Sequence, residues 1–281
     1  MSKNYITYEP DNSLKKGYLS LFREIFNELK NNRWLTYQLF KRDFLAVYKQ
    51  SFVGVFWAFI IPIISVGTFI ILNHSGIFSV GEIDVPYPLY AILGLAFWQL
   101  FSAGLISSSN CLVKAGSMIT KINFSKKSLV IASAAQSIVS FLIQFILLLV
   151  LFAIYGVAPR ITILLFPVFI VPIMLLTLGF GFILSLFNGV FRDVGNIISV
   201  IVTFLMFLTP VLYSKPKIGI LASISKYNPL YYLISAPREL ILMGTIPEWK
   251  GFLASCIFSG FIFIICLVCF HLTETRVAER I

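Results

Sequence analysis

Few residues in this chain combine the types and spacings that chemistry at an active site requires. Cys266 and Cys269 form a C-x-x-C pair, but no second pair and no histidine stand at the spacing of a zinc site. We interpret these cysteines as small core residues. The two histidines, His74 and His271, lie at the edges of apolar segments and on opposite sides of the expected membrane topology. A shared catalytic role for them is therefore not expected.

The sequence also lacks the short motifs that mark nucleotide binding and hydrolysis. It contains no G-x-x-x-x-G-K-[ST] loop, no H-E-x-x-H helix and no G-x-S-x-G turn. The interiors of its long apolar segments lack Asp, Glu, Lys and Arg, which proton-coupled transporters usually bury as relays. We therefore expect no catalytic residue, no cofactor and no metal in this chain. Any energy for uphill transport is expected to come from a partner.

The composition requires a lipid environment. Hydrophobic residues make up 58% of the 281 residues and charged residues only 12%, whereas soluble domains carry about 25% charged residues. The net charge of +10 is compatible with nucleic-acid binding, but the positive residues stand between apolar segments and concentrate at the N-terminus. That is the pattern of topology determinants. We predict an integral membrane protein with one membrane domain and no nucleic-acid partner.

Long stretches without formal charge predict an all-α membrane protein with six spanning helices, because a helix needs about 20 apolar residues to cross a bilayer. Sixteen of the 22 Lys and Arg residues fall on one side of the resulting topology, so both termini are expected in the cytoplasm. The membrane domain covers 51–273, between a cytoplasmic N-terminal segment, 1–50, and a cytoplasmic tail, 274–281. The predicted spans are 52–72, 87–111, 129–155, 161–187, 196–213 and 251–271.

The N-terminal segment contains a predicted amphipathic helix. Its apolar positions recur at helical spacing, at Tyr18, Phe22, Ile25 and Leu29, and charged residues fill other positions. Two interpretations remain open. The helix either lies on the cytoplasmic face of the membrane or packs on the protein itself.

Residues 218–247, before the last span, form an apolar segment that does not fit a span. Pro229 and Pro237 break it into halves that are too short to cross the membrane. We expect two short helices that re-enter the membrane from the outer side; the alternative is a loop that lies at the interface. Arg238 and Glu239 are adjacent here. They either lie at the interface or pair at the mouth of a pathway.

Short motifs flank the predicted spans from about Leu35 to the C-terminus. They are Arg42-Asp43, Tyr48-Lys49-Gln50-Ser51, Gly54, Trp57 and Pro62 at the first span, Val85-Pro86-Tyr87-Pro88-Leu89, Gly94 and Trp98 at the second, Arg192-Asp193 after the fourth, and Tyr227-Asn228-Pro229-Leu230 before the sixth. Together these motifs resemble the type-2 ABC exporter permeases. The likeness is to the polysaccharide-export branch, which carries O-antigen, capsular polysaccharide and teichoic acid across the inner membrane of bacteria.

The resemblance implies a non-enzymatic, homodimeric permease bound to two copies of a separate ATPase, which would hold ATP and Mg. The amphipathic helix would be the interface helix, and residues 112–128 would form the loop that docks to the ATPase. Four lysines of this loop would contact the ATPase or the phosphates of membrane lipids, although positive-inside signalling alone also accounts for them. They are Lys114, Lys121, Lys126 and Lys127.

The chain is rich in aromatic residues, with 28 Phe, 12 Tyr and 4 Trp. Sugar rings stack their C–H faces on aromatic rings, and Tyr and Trp suit a wet, half-apolar wall. Interfacial belts and lipid-facing rings are the alternative for each residue. The candidates to line a channel are Trp57, Tyr87, Tyr90, Trp98 and Phe101. The resemblance places an outer gate in residues 218–247, at Tyr227, Asn228, Pro229, Tyr231, Tyr232, Arg238 and Glu239.

These observations predict a permease subunit of the bacterial inner membrane. It would move a lipid-linked polysaccharide, in the first place O-antigen, outward as the partner ATPase cycles. The alternatives are a type-2 permease for teichoic acid or for a smaller lipid or drug, an ion-coupled secondary transporter, and a membrane enzyme.

Overall fold

The computed structural model describes residues 18–49, 56–75, 85–116, 124–215 and 218–278. These residues form helices joined by short connections, with no strand among them, as the all-α prediction requires. The α-helices in chain order are α1 (Tyr18–Asn31), α2 (Arg33–Lys49), α3 (Trp57–His74), α4 (Tyr87–Lys114), α5 (Lys126–Ile154), α6 (Phe166–Val190), α7 (Asp193–Leu208), α8 (Ile220–Tyr227), α9 (Pro229–Met243) and α10 (Trp249–Ala278). A short 3-10 helix, Ile161–Leu165, leads directly into α6.

Four helices in the described part of the chain are long and apolar enough to cross a bilayer. They confirm the second, third, fourth and sixth predicted spans as helices of spanning length. Their bounds are Tyr87–Lys114, Lys126–Ile154, Ile161–Val190 and Trp249–Glu274.

The first and fifth predicted spans are shorter helices. The apolar stretch of α3 is Phe59–Thr68, and α7 has only 16 residues. At a rise of about 1.5 Å per residue, α7 is about 24 Å long, which is less than the hydrocarbon thickness of about 30 Å. The six-span count therefore stays a prediction. Residues 52–55, where the first predicted span begins, lie outside the described residues.

The central helix of the bundle is α4. It packs against α5 and α6, and α6 packs against α10. In the apolar spanning stretch of each helix, 83% of the α4 residues are buried, compared with 22% of the α10 residues. Small residues allow this close packing. A Cβ on Gly104 would lie 2.8 Å from both Ser137 Oγ and Thr177 Cγ2, and a Cβ on Gly179 would lie 3.0 Å from Ile262 Cγ2.

The amphipathic helix α1 packs on the protein itself, which is the second of the two interpretations left open by the sequence. Leu21 and Ile25 are buried in a cluster that includes Phe270 of α10. Phe22 and Phe26, in contrast, are 43% and 66% exposed. The helix therefore presents one apolar face to the bundle and leaves a second, aromatic face uncovered.

Many of the predicted site residues lie near one of the two ends of α4, whereas Trp98 and Phe101 lie near its middle and Trp57 lies on α3. We call the region around the N-terminus of α4, where α9 packs, the hairpin end. We call the region around its C-terminus, where α1, α5 and α10 meet, the junction end.

Candidate functional site

At the hairpin end, α8 and α9 form a helical hairpin whose turn is set by two adjacent residues. Asn228 caps α9, since its Oδ1 accepts a hydrogen bond from Leu230 N at 3.0 Å. Pro229 follows at the first helical position, where its missing N–H costs nothing. Asn228 Nδ2 also donates to Thr209 Oγ1 at 2.8 Å, which ties the turn to the end of α7. The predicted pair of short helices is thus present. The break lies at Pro229 alone, because α9 continues through Pro237, contrary to the expectation that both prolines interrupt the segment. The depth of the two helices in the membrane stays a prediction.

Arg238 is the most buried charged residue at this end, with 1% of its surface exposed. Its Nη1 donates to Val211 O at 2.7 Å and to Pro210 O at 3.3 Å. The guanidinium carbon lies 3.9 Å from the ring centroid of Tyr90. Arg238 is therefore enclosed by carbonyl oxygens and an aromatic face of the same chain, and its depth relative to the membrane interface stays a prediction.

This contact joins two groups of residues that the sequence analysis kept apart. Tyr90 is a predicted channel residue on α4, and Arg238 is a predicted gate residue on α9. Tyr90 also donates from its hydroxyl to Tyr213 O at 3.1 Å. Gly94 lies one turn further along α4, and a Cβ there would collide with Val211 O and lie 3.2 Å from Arg238 Nη1. Only glycine allows this approach of α4 to the segment after α7.

Around the buried Tyr231, the hairpin end combines aromatic rings with charges of both signs. Lys215 Nζ lies 4.8 Å from the ring centroid of Tyr231 and forms an ion pair of 2.7 Å with Glu248. Tyr232 borders a shallow cleft of about 350 Å³ beside Glu248, and its hydroxyl donates to Lys226 O at 2.9 Å. Tyr227 is exposed and Glu239 is half-buried.

The five predicted channel residues do not share one surface. Trp57 is exposed on α3, and Tyr87 is half-buried. Tyr90, Trp98 and Phe101 are buried on α4, where the Trp98 and Phe101 rings are 5.9 Å apart. These three residues face other helices of the same chain, so they would line a passage only if those helices separated. A lining role for all five stays a prediction.

At the junction end, Lys127 is not on the surface, where the docking expectation requires it. Its side chain is fully buried, and Nζ donates to Glu28 Oε2 at 2.9 Å and to Glu274 Oε1. Lys114 is exposed and Lys126 is half-buried. Residues 117–123 of the predicted docking loop, which include Lys121, lie outside the described residues.

Glu28, Glu274 and His271 come close enough to suggest a metal site. Each offers a ligand atom within 4.8 Å of the others. The Lys127 ammonium, however, already binds both carboxylates, and a cation at that position leaves no need for a metal. We therefore assign no metal to this group.

A cavity of about 540 Å³ with both polar and apolar lining also opens at the junction end, between α2, α4 and α5. Arg42 and Asp43, which the sequence analysis noted as a motif, form an ion pair of 2.7 Å at its wall. Lys114 and Gln136 line it from α4 and α5. This cavity was not predictable from the sequence, because no single segment forms it.

One buried asparagine was missed by the sequence analysis. Asn188, near the end of α6, donates to Ser109 O at 3.1 Å and to Asn110 Oδ1 at 3.0 Å, and its Oδ1 accepts from Gly195 N at 2.8 Å. It thereby joins α4, α6 and α7. The available signal was an amide side chain within a long apolar segment, where polar groups require partners.

Comparisons with known proteins identify the family of the chain. Residues 35–242 match the family profile of the ABC-2 type transporter. An O-antigen export system permease protein RfbA from Myxococcus xanthus is 27% identical over 234 residues, which cover 82% of this chain and 88% of that protein. A protein of the same name from Klebsiella pneumoniae is 26% identical over 242 residues, covering 85% and 91%. Because the family match spans most of the chain, this protein belongs to the ABC-2 type transporter family.

Proposed function

We propose that this chain is the permease subunit of an ABC exporter that moves a lipid-linked polysaccharide, with O-antigen as the first candidate, across the bacterial inner membrane. The observation that carries the proposal is its similarity, over 82% and 85% of its length, to proteins named as O-antigen export permeases. The sequence has no phosphate-binding loop of its own. ATP and Mg would therefore bind to a separate ATPase, and the chain itself would be non-enzymatic.

The proposed assembly is a homodimer with two ATPase subunits, in which α3 and α7 complete six spans. Both helices carry large apolar side chains that this chain leaves uncovered. Ile61 and Ile64 are exposed on α3, and Ile201 and Phe204 are exposed on α7. Apolar surface of this kind requires cover by lipid or by a second copy. Both termini would lie in the cytoplasm.

The hairpin of α8 and α9 would re-enter the membrane from the outer side and act as the gate. One face of α9 is buried against the bundle, including Leu233 and Ile234, so its backbone is covered by protein as a re-entrant segment requires. The glycan would leave past the exposed Tyr227 and the cleft beside Tyr232. Aromatic faces there would hold sugar rings without fixing their identity.

Coupling to the ATPase would run through residues 112–128. Deletion of this segment is expected to abolish export while the protein still inserts in the membrane, because the motor would lose its contact with the spans. Lys114, Lys121 and Lys126 would meet acidic groups of the ATPase. Export that survives the deletion would refute the docking role.

Depletion of the protein in its native host, followed by location of the envelope glycan, tests the proposal. We expect the glycan to disappear from the surface and its lipid-linked form to accumulate inside, and re-expression of the wild-type chain should reverse both. Loss of teichoic acid instead would identify that polymer as the substrate. An unchanged surface glycan would refute the polysaccharide function and leave a smaller lipid or drug as the substrate to test.

A further inference from the structure

We propose that Lys127 is a positioning residue that locks α1 and α10 to the start of α5, so that all three helices follow the docking loop as one unit. The inference rests on the proposed function, and it replaces the ATPase contact that the sequence suggested for this lysine. Glu28 and Glu274, its two partners, lie outside residues 35–242. The family match therefore does not assign this contact.

The geometry makes Lys127 the shared partner of two carboxylates on different helices. Its side chain is 0% exposed, and its ammonium donates to Glu28 of α1 and to Glu274 of α10. The Glu28 and Glu274 side chains are 26% and 12% exposed. Removal of a buried partner leaves the opposite charges uncompensated and is strongly destabilising. Without Lys127, two close carboxylates would repel each other and drive α1 and α10 apart.

Residues next to Lys127 strengthen the same two attachments. Ser125 Oγ donates to Glu28 Oε1 at 2.7 Å, and Lys126 Nζ donates to the backbone oxygen of Glu274 at 3.2 Å. His271 Nδ1 lies 3.5 Å from Glu274 Oε1 and 3.9 Å from Glu28 Oε2. The start of α5 thus holds α1 and α10 through both oxygens of Glu28 and through the side chain and backbone of Glu274.

The position of this lock in the chain gives it a role in transport. Ser125 stands two positions after the segment 117–123 of the predicted docking loop, so a displacement of that loop would reach the first turn of α5. Apolar contacts such as those of Leu21 and Ile25 hold α1 against the bundle but tolerate sliding. Charge-assisted hydrogen bonds fix orientation as well as distance. The lock would therefore convert movement of the loop into movement of α1 and α10.

A cysteine reporter on α1 measures the lock without any assumption about the substrate. Ile25 is buried, so Ile25→Cys should react slowly with a water-soluble maleimide. We expect Lys127→Ala to raise the labelling rate by about tenfold or more, since local opening exposes the buried face of α1. Lys30→Ala, which changes an exposed lysine of the same helix, should leave the rate unchanged. The assay uses the complete complex in membranes, with alanine in place of Cys111, Cys256, Cys266 and Cys269.

A charge exchange separates the lock from an ATPase contact. Lys127→Glu and Glu28→Lys should each abolish glycan export, whereas the double variant restores one positive group between two carboxylates and should regain export. A lysine lost from a surface contact with the ATPase would not be replaced by a lysine on α1. Glu24→Lys is the matched control, because Glu24 is exposed one turn away on α1, and it should export normally.

Two results would overturn the proposal: an unchanged labelling rate in Lys127→Ala, or a double variant that exports no better than the worse single variant. If Lys127→Ala does not accumulate in the membrane, the charge exchange between Lys127 and Glu28 still tests the proposal. Failure of the wild-type complex to export the glycan would instead refute the proposed function, and the labelling rates would still decide the lock.

Discussion

Replacement of Arg238 tests whether a buried cation that is held by carbonyl oxygens and an aromatic ring, and not by a carboxylate, anchors the hairpin. Arg238→Met removes a hydrogen bond of 2.7 Å to Val211 O, a longer one of 3.3 Å to Pro210 O, and the contact with the Tyr90 ring. Hydrogen bonds from charged groups contribute about 1.5–3 kcal/mol each, and a desolvated cation–π contact contributes about 2 kcal/mol. The same change also removes the cost of burying a guanidinium, which is several kcal/mol.

The net effect of Arg238→Met is expected to be smaller than the sum of the lost contacts, because the relieved cost of burying the charge partly offsets that loss. The remaining loss comes from the carbonyls that no longer have a donor, and we expect about 2 kcal/mol of destabilisation. Arg238→Lys should cost more, about 3–5 kcal/mol. It keeps the buried charge, but a compact ammonium cannot contact both carbonyls and cover the ring of Tyr90. The chemically more similar residue is therefore expected to be the more damaging one.

Unfolding of the purified permease in detergent measures this order. About 2–4 °C in Tm per kcal/mol is typical for chains of 150–250 residues, so Arg238→Met should lower Tm by about 4–8 °C. A double-mutant cycle of Arg238→Met with Tyr90→Leu should give a coupling free energy of about 1–2 kcal/mol. Tyr90→Phe, which keeps the ring, should retain that coupling. A lysine variant more stable than the methionine variant, or a coupling below about 0.5 kcal/mol, would refute the reasoning.

Other contacts give predictions for the same unfolding assay. Gly94→Ala should destabilise the protein by about 1–3 kcal/mol, because its Cβ would collide with a backbone carbonyl after α7. Gly67→Ala is the control and should be neutral or stabilising, because a Cβ there would meet nothing within 4 Å. Equal Tm values for the two alanine variants would contradict this prediction. Asn188→Ala should lower stability by about 1–3 kcal/mol, since it leaves the Gly195 amide without its acceptor; an unchanged Tm would show that another group satisfies that amide. Asn228→Ala should lower the free energy of unfolding by about 1 kcal/mol, because the helix cap is lost. Asn228→Asp keeps an acceptor at this position and should lower it less. An aspartate variant less stable than the alanine variant would argue against capping.

Features that depend on one continuous segment were predictable from the sequence. Four of the six charge-free stretches form helices of spanning length, so these four spans follow from composition. The turn of the hairpin follows from Pro229, because proline is favourable at the first position of a helix. The helix α1 was predictable as amphipathic, but its register was not resolved. Leu21 is buried and Phe22 is exposed, and the bundle surface selects between these neighbours.

Features that depend on two distant segments were not predictable. The positive-inside rule counts Lys127 as a topology signal, and it contains no information on Glu28, 99 positions earlier. Lys127 and the exposed Lys114 therefore carry the same signal in the sequence. Arg238 similarly stands beside Glu239 in the chain, which suggested a pair or an interfacial position. Its contacts with Tyr90 and with the carbonyls after α7 exist only once α4 and α9 are packed.

The two buried cations are held by different chemistry, and the difference suits the two ends of a transporter. At the junction end, Lys127 is paired with carboxylates that are partly exposed, so water can solvate them when the lock opens. At the hairpin end, Arg238 is held by carbonyl dipoles and an aromatic face, which carry no net charge and stay neutral when the contact breaks. If this contact opened, Arg238 would require new acceptors from water or from hydroxyl groups. Under the proposed function, a sugar polymer in transit would supply hydroxyls and bound water at that position and would lower the cost of opening the hairpin, whereas an apolar lipid would not.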